Sequence, residues 1–321
     1  MTLDVIIPTF NRATLLARTL ESLRRARVPQ RLQVRTLVVD NGSTDGTQDL
    51  VARESATFPH PLEYLFVSTP GKAHALNAGI AATSGELVGL IDDDEEIDAA
   101  WFECIQDAFY KGAVDDVGDV DFVGGRCLPN WSAPRPSWLG QGYLGVIGWV
   151  DPGPDPRPMD RTYPGILMGG NAVIRRALLE RAGPYATALN RTSTRLLGCE
   201  DEDMYHRLLA LGARGRYLPN LVIHHHVPAD RLTKRYFRKW CFWRGVSLGL
   251  MDSKRPAPVP YLAGVPRYHI GRAVRGLLHV VGLGPRPADA TNRFESELAC
   301  WDLAGFVWGK RVHRSERTRA A

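Results

Sequence analysis

The stretch Leu87-Val88-Gly89-Leu90-Ile91-Asp92-Asp93-Asp94-Glu95-Glu96 passes without a break from an apolar run into five acids. The apolar part shows no alternation. It therefore reads as a strand buried on both faces, the pattern of a parallel sheet covered by helices on either side. The acids follow at the strand's carboxyl end, the edge at which open α/β sheets bind ligands. Five neighbouring carboxylates, with Asp98 just beyond, repel one another unless something compensates them. A hard divalent ion, Mg2+ or Mn2+, prefers oxygen ligands and bridges protein carboxylates to substrate phosphates. Capping of a helix that begins near Asp98 is the competing use of these charges. The position at a strand end favours the metal.

Outward from this run the alternation continues over the first 125 residues. Strands are expected at about Leu3–Ile7, Gln33–Val39, Leu62–Val67, Leu87–Ile91 and Asp121–Val123, with helices between them. Arg12–Arg24 places Leu15, Leu16, Thr19, Leu20 and Leu23 on one helical face, and a second helix is expected from Lys72 to Ala82. A second polar segment, Asp40-Asn41-Gly42-Ser43-Thr44-Asp45, closes the second strand. Residues Pro129 to Pro164 are rich in Pro, Gly and Trp and read as a long ordered loop or lid. Ile166–Ile174 follows as strand and Arg175–Arg181 as helix.

Two further clusters carry chemistry. Glu200-Asp201-Glu202-Asp203 opens a helix continued by Met204, Leu208 and Leu209. Acids are favourable in a first helical turn for dipole reasons alone, yet one of them facing a site could serve as a general base. His224-His225-His226 ends the apolar run Leu221–Ile223. Strand side chains alternate between faces, so at most two of the three share a side, and one metal ligand is the expectation.

The chain of 321 residues is 44% apolar and 23% charged, ordinary values for a folded body. Its formal charge of +5 hides an asymmetry. Residues 1–203 carry 19 Lys and Arg against 28 Asp and Glu, a balance of −9, whereas residues 204–321 carry 21 against 7, a balance of +14. The five cysteines are scattered without a CxxC pair, so neither a disulfide framework nor a zinc ribbon is indicated. With no basic start and apolar signal core, the chain is expected in the cytoplasm. The longest uncharged run, Pro136 to Val150, has 15 residues, short of the roughly 20 that a bilayer crossing needs.

Val5-Ile6-Ile7-Pro8-Thr9-Phe10-Asn11-Arg12, Val38-Val39-Asp40-Asn41-Gly42-Ser43-Thr44-Asp45, Gly71-Lys72-Ala73-His74-Ala75-Leu76-Asn77 and Leu90-Ile91-Asp92-Asp93-Asp94 stand in an order that resembles family-2 glycosyltransferases. Gly169-Gly170-Asn171 and Glu200-Asp201-x-Asp203 with Arg207 extend the resemblance, which covers roughly residues 3–228. It implies a GT-A fold, that is, an α/β nucleotide-diphospho-sugar transferase with a mostly parallel central sheet and helices on both faces. It implies a nucleotide-sugar-binding half over 1–125, an acceptor and catalytic half over 126–228, and a basic helical extension over 229–321. Pro8, Thr9, Arg12 and Asp40 correspond to the nucleotide pocket, and Lys72, Asn77, Asp92 and Asp93 to the diphosphate and donor sugar. Asp94 corresponds to the metal-binding acid of the DxD motif, completed by His225 or His224. Asp201 corresponds to the catalytic base, with Asn171 and Glu200 on the acceptor side. The implied cofactor is Mn2+ or Mg2+, and the implied donor a UDP-sugar, with GDP and dTDP as alternatives. The implied acceptor is a saccharide or a lipid-linked saccharide. Arg235-Tyr236-Phe237-Arg238-Lys239-Trp240 only loosely echoes the QxxRW of polymerising synthases, which favours single addition.

The basic C-terminal part has two candidate membrane-facing helices. One starts at Arg231, with Leu232, Tyr236, Trp240 and Trp243 at helical spacing among Lys234, Arg235, Arg238 and Lys239; the other is Ile270–Val281. Aromatics beside Lys and Arg suit the boundary of an anionic bilayer, here the inner face of the cell membrane. No nucleic-acid-binding signature accompanies the charge. A non-catalytic nucleotide-sugar-binding protein and a nucleotidyltransferase of similar α/β design are the competing classes.

Overall fold

The computed structural model describes residues 1–110, 120–189, 196–288 and 290–320, with side chains to residue 312. The chain divides into two units. The first comprises Met1–Asn130, Val150–Asn190 and Glu200–His226, and the second Trp131–Trp149, Arg191–Cys199 and Val227–Ala321.

The first unit begins β1 (Thr2–Thr9), α1 (Ala13–Arg25), β2 (Gln33–Asp40), α2 (Thr47–Ser55), β3 (Leu62–Phe66), α3 (Lys72–Ala81), β4 (Leu87–Leu90), β5 (Glu95–Ile97) and α4 (Trp101–Tyr110). It continues with β6 (Phe122–Trp131), β7 (Arg157–Met159), β8 (Ala172–Arg175), α5 (Arg176–Ala182), α6 (Glu200–Ala210) and β9 (Gly215–Val227). The strands form one sheet in the order β3-β2-β1-β4-β8-β6-β9-β5, with β7 paired to β9. β3, β2, β1 and β4 are parallel, and β8 then turns the sheet antiparallel against β4 and β6.

Alternation along β1 sorts the core into two layers. Val5 and Ile7 face Leu16, Leu20 and Leu23 of α1 together with Trp101 and Phe102 of α4. Ile6 faces the other way, toward Ala73 and Leu76 of α3, Leu178 and Leu179 of α5, and Leu208 of α6. Of the expected α1 stripe, Leu16, Thr19, Leu20 and Leu23 are thus buried against the sheet, and Leu15 is half-buried. In place of the expected strand over Ile166–Ile174 there is a 3-10 turn at Gly169–Asn171 and then β8 from Ala172. The short β5, formed by Glu95-Glu96-Ile97, is absent from the sequence reading because acids at those positions do not signal a strand.

The second unit is helical: α7 (Lys234–Lys254), a two-residue hairpin of β10 (Tyr261–Leu262) and β11 (Val265–Pro266), α8 (Arg267–Val280) and α9 (Arg293–Ala320). α7 and α9 lie close because each has glycines at i and i+4. A Cβ on Gly245 would stand 2.0 Å from the Asp302 carbonyl oxygen, and one on Gly305 1.9 Å from that of Phe242. The segment 131–149, expected with the catalytic half, packs in this helical unit. Trp138 sits edge-on between Phe237 and Phe294, with ring centroids at 5.1 and 5.0 Å. The aromatic run of α7 also turns inward: Phe237 is fully buried, and Arg238 forms a two-pronged ion pair with Glu297 at 2.6 and 2.9 Å.

Candidate active site

Thr9 and Asp40 are register partners at the carboxyl ends of β1 and β2, and β4 runs beside β1 into the acidic turn. Three chain segments therefore deliver their polar ends to one edge of the sheet, the edge that doubly wound folds use for ligands.

The loop after β2 is held in place by its own motif residues. Asp40 is buried and accepts from the Ser43 amide and the Tyr64 hydroxyl, both at 2.8 Å. Burial, and then Asp40 itself, push the Tyr64 hydroxyl up to about 12. Asn11, which adopts a left-handed φ of 53°, accepts from the Thr44 amide at 2.7 Å. Asp45 accepts from the Ala13 amide at 3.0 Å, satisfying a donor that the start of α1 leaves open. Asn41 donates to the Val67 and Thr69 carbonyls and accepts from the Gly71 amide just before α3.

The acids from Asp92 to Asp98 have separate surroundings. Asp92 is bound by the Lys72 ammonium at 2.6 Å. Asp93 is buried, accepting from the Thr9 hydroxyl and the Arg12 guanidinium at 2.8 Å each; burial nevertheless pushes its carboxyl up to about 6. Asp94 meets Arg12 at 3.0 Å and lies 3.6 Å from Nε2 of His225. Burial opposes the charge on Arg12, but Asp93 and Asp94 outweigh it and raise its pKa. Glu95 turns inward, accepts from the Asp92 amide at 2.8 Å, and is raised well above the usual carboxylate range by burial, Asp92 and Asp94. Glu96 turns outward to Arg18. Asp98 accepts from the Ala100 amide at 2.9 Å in the turn that leads into α4.

Strand alternation also separates the histidines. β5 and β9 pair Glu95 with His225 and Glu96 with His224. His225 is buried beside Asp94, whereas His224 lies on the opposite face and lines a groove of about 660 Å3 with Arg18, Glu21, Glu96 and Asn130. Among the described residues no group of three or more His, Cys, Asp or Glu is arranged to hold a metal ion. The pair Asp94 and His225 offers one carboxylate and one imidazole. Such a set suits a hard ion that fills its remaining positions with phosphate oxygens and water.

The base candidate stands on the first turn of α6. Asp201 is half-buried, and its Oδ1 is a buried oxygen without a hydrogen-bond partner among the described residues. Burial raises its pKa, and Lys72 offsets part of that rise. Burial works against the charge on Lys72 as well, but Asp92, Asp201 and Glu200 raise its pKa well above the ordinary value. One ammonium therefore lies within electrostatic reach of both acidic clusters, which are more than 100 residues apart in sequence.

Gly169 and Gly170 explain how the second cluster comes so close. A Cβ on Gly169 would stand 2.2 Å from Oδ1 of Asp201, and one on Gly170 would stand 2.1 Å from Oε1 of Glu95. Any larger residue would displace one of two carboxylates. Asn171, expected on the acceptor side, is buried: it donates to the Arg126 and Leu221 carbonyls and accepts from the Trp101 indole, all at 2.9 Å. Asn77, expected at the diphosphate, exchanges two hydrogen bonds with the Tyr185 backbone at 3.0 and 2.7 Å. Pro8 lies within β1. Tyr64 and Tyr185 are site-adjacent residues that sequence reasoning passed over, and Glu95, counted there within the acidic run, had no role of its own.

Glu200 supports a test by pH. Burial, and then Asp201, push its carboxyl up to about 7 from an ordinary 4.5. Between those values the folded state holds a proton that the unfolded chain has released, so this group's contribution to stability falls as pH rises through that window. Glu200→Gln, which cannot ionise, should flatten the loss between pH 5 and 8 by on the order of 3 kcal/mol at most. Urea midpoints of the metal-free protein at several pH values measure this. Parallel curves for the two proteins would show that Glu200 ionises normally.

The parallel β3-β2-β1-β4 half, the acidic turn after β4 and the antiparallel second half define a glycosyltransferase of the GT-A type. Residues 4–183 match the model described as Glycosyl transferase family 2, and the chain belongs to that family. It is 25% identical over 258 residues to a succinoglycan biosynthesis protein, ExoM, of Rhizobium meliloti, covering 79% of this chain and 76% of that protein. Other curated relatives match over 20% to 57% of their own lengths. The fold is similar to that of a mannosyltransferase from Pyrobaculum calidifontis solved in complex with GDP-Man and Mn2+. The TM-score is 0.59 at 23% identity, over 96% of this chain and 87% of that one. It is also similar to TarS 1-349 of S. aureus in complex with UDP-GlcNAc, with a TM-score of 0.51 at 15% identity over 98% and 92%.

Proposed function

We propose that this chain transfers a sugar from a nucleotide diphosphate sugar to an acceptor hydroxyl in one inverting, metal-dependent step. The observation that carries the reading is the buried, unpartnered Oδ1 of Asp201, within electrostatic reach of the ammonium that binds Asp92.

Asp94 and His225 would hold Mn2+ or Mg2+, which supplies positive charge to the departing diphosphate when bound. Lys72, bound to Asp92, would do the same, an electrostatic contribution of the kind that usually dominates. Asp201 accepts the proton of the acceptor hydroxyl through Oδ1. The new C1–O bond forms on the face opposite the leaving group, and the electron pair of the old bond leaves with the diphosphate. The raised pKa of Asp201 favours acceptance of that proton while requiring no covalent intermediate. Asp40 and Thr9 line the edge where the nucleotide would sit, with UDP first and GDP or dTDP as alternatives. The acceptor would be a saccharide or lipid-linked saccharide of cell-surface polysaccharide or glycolipid assembly, met at the cytoplasmic face of the membrane.

The test is a screen of UDP-, GDP- and dTDP-sugars with and without Mn2+, following both thermal stability and release of nucleoside diphosphate. A ligand that binds only the folded state raises its apparent stability. One donor that stabilises the protein and turns over only with the metal is the expected result. Stabilisation without turnover on any acceptor hydroxyl or water would leave a binding protein, and release of sugar 1-phosphate in place of nucleoside diphosphate would mean nucleotidyl transfer.

A further inference from the structure

α8 is amphipathic in the reverse sense to a helix on a water-facing surface. Its inward face is partly polar: His269 is buried 3.5 Å from Asp302, and His279 is hydrogen-bonded to the Ser296 hydroxyl at 2.8 Å. Ala273 and Gly276 complete that face, the Ala273 carbonyl receiving the Cys300 thiol at 3.5 Å. Its outward face carries Val274, Leu277 and Leu278, and Val281 and Leu283 extend it past the helix end; Leu277 is 54% exposed and Leu283 78%. Helices of soluble domains bury the apolar side and present the polar one. Contiguous exposed aliphatics of this kind mark an interaction site.

The charge around the face identifies what it meets. From Ser253 to Ala288 the chain carries Lys254, Arg255, Arg267, Arg272, Arg275 and Arg286 and not one acid. Arg267, Arg275 and Arg286 are exposed on α8 and in the turn after it. Aliphatic side chains flanked by arginines, without acids, complement a surface that is apolar below and anionic above, the arrangement of an interfacial helix. No helix among the described residues is long and apolar enough to cross a membrane.

We propose that the outer face of α8, continued by Val281 and Leu283, docks the protein on an anionic lipid bilayer. The proposal rests on the membrane-side acceptor of the reading above and gives it a surface. α7, the more basic and aromatic helix by sequence, is not that surface, because Phe237 and Arg238 are engaged within the helical unit.

Co-sedimentation of the full chain with vesicles tests this, using phosphatidylglycerol with phosphatidylcholine against phosphatidylcholine alone. The variants are Leu277→Gln with Leu278→Gln and Val281→Gln, Arg267→Gln with Arg275→Gln, and, on α7, Lys234→Gln with Arg235→Gln. The wild type should bind the anionic vesicles, and the aliphatic variant should need at least tenfold more lipid for half-binding at any salt. The arginine variant should lose binding several-fold at low salt and match the wild type at high salt, where surface charge is screened. The α7 variant should stay within twofold of the wild type. All the substituted side chains are exposed, so unchanged melting temperatures would show that the variants fold. Equal binding by wild type and aliphatic variant, no binding by the wild type, or concentration-dependent dimerisation through this face in place of binding would overturn the proposal. Turnover of a water-soluble acceptor, measured in parallel, judges the transferase reading separately: loss of lipid binding with turnover intact sinks only the docking face, and lipid binding without turnover sinks only the enzyme.

Discussion

Asp201→Asn should leave donor affinity within about twofold of wild type and lower the rate of transfer by about 10²–10⁴-fold, the usual cost of removing a general base. The substitution preserves shape, and an amide oxygen cannot take up the acceptor's proton at neutral pH. The unfolding midpoint should not fall, since burial already disfavours the charge that the substitution removes. Donor binding by calorimetry and single-turnover transfer at saturating donor separate the two effects. Full activity in Asp201→Asn would assign the base elsewhere, with Glu200, the adjoining buried acid, the first place to look.

The second large effect belongs to the metal side. Asp94→Ala should weaken Mn2+ by more than about 100-fold, since even outer partners of metal ligands cost about 10–100-fold when removed. Donor binding should fall to its metal-free level. The fold should survive, because Arg12 keeps its bond to Asp93, which Thr9 also holds. His225→Ala should follow Asp94→Ala in direction, while His224→Ala should leave Mn2+ affinity unchanged, the two side chains lying on opposite faces of β9. Titration followed by the electron paramagnetic resonance of free Mn2+ reads the affinity without any turnover. An effect of His224→Ala equal to that of His225→Ala would remove the geometric basis for choosing between them.

Much of the catalytic unit was legible because its signals are local. The unbroken apolar run at 87–91 marks a strand buried on both faces, the Leu16, Leu20 and Leu23 spacing marks a helix on a sheet, and within the loop Asp40–Asp45 the first acid accepts from the Ser43 amide three residues on. Asp45 shows the limit of that reading: its motif position was evident, but its bond to the Ala13 amide spans two elements. The roles of Asn171 and Asn77 were harder to read. A buried amide that braces Trp101 and one that would contact a ligand are the same residue in a sequence, and only the partners within reach distinguish them.

Similarly, six neighbouring acids could be recognised as a liability needing compensation, and the family resemblance set Asp94 apart for the metal, but the partner each acid takes was not legible. The partners follow from the turn and short strand at 92–97, which send Asp93 to Arg12, Asp94 toward His225, Glu95 inward and Glu96 outward. Sequence by itself determined the strand-helix alternation, the acidic edge and the excess of positive charge in the C-terminal part, because hydrophobic period and charge are properties of neighbours along the chain. Tertiary structure alone decided that the lysine bound to Asp92 lies within electrostatic reach of Asp201, that two glycines make room for two carboxylates, and that α8 rather than α7 presents its apolar side outward. Each of these depends on which distant segment fills the space beside a residue, and burial, desolvation and hydrogen-bond partnership exist only once that space is filled.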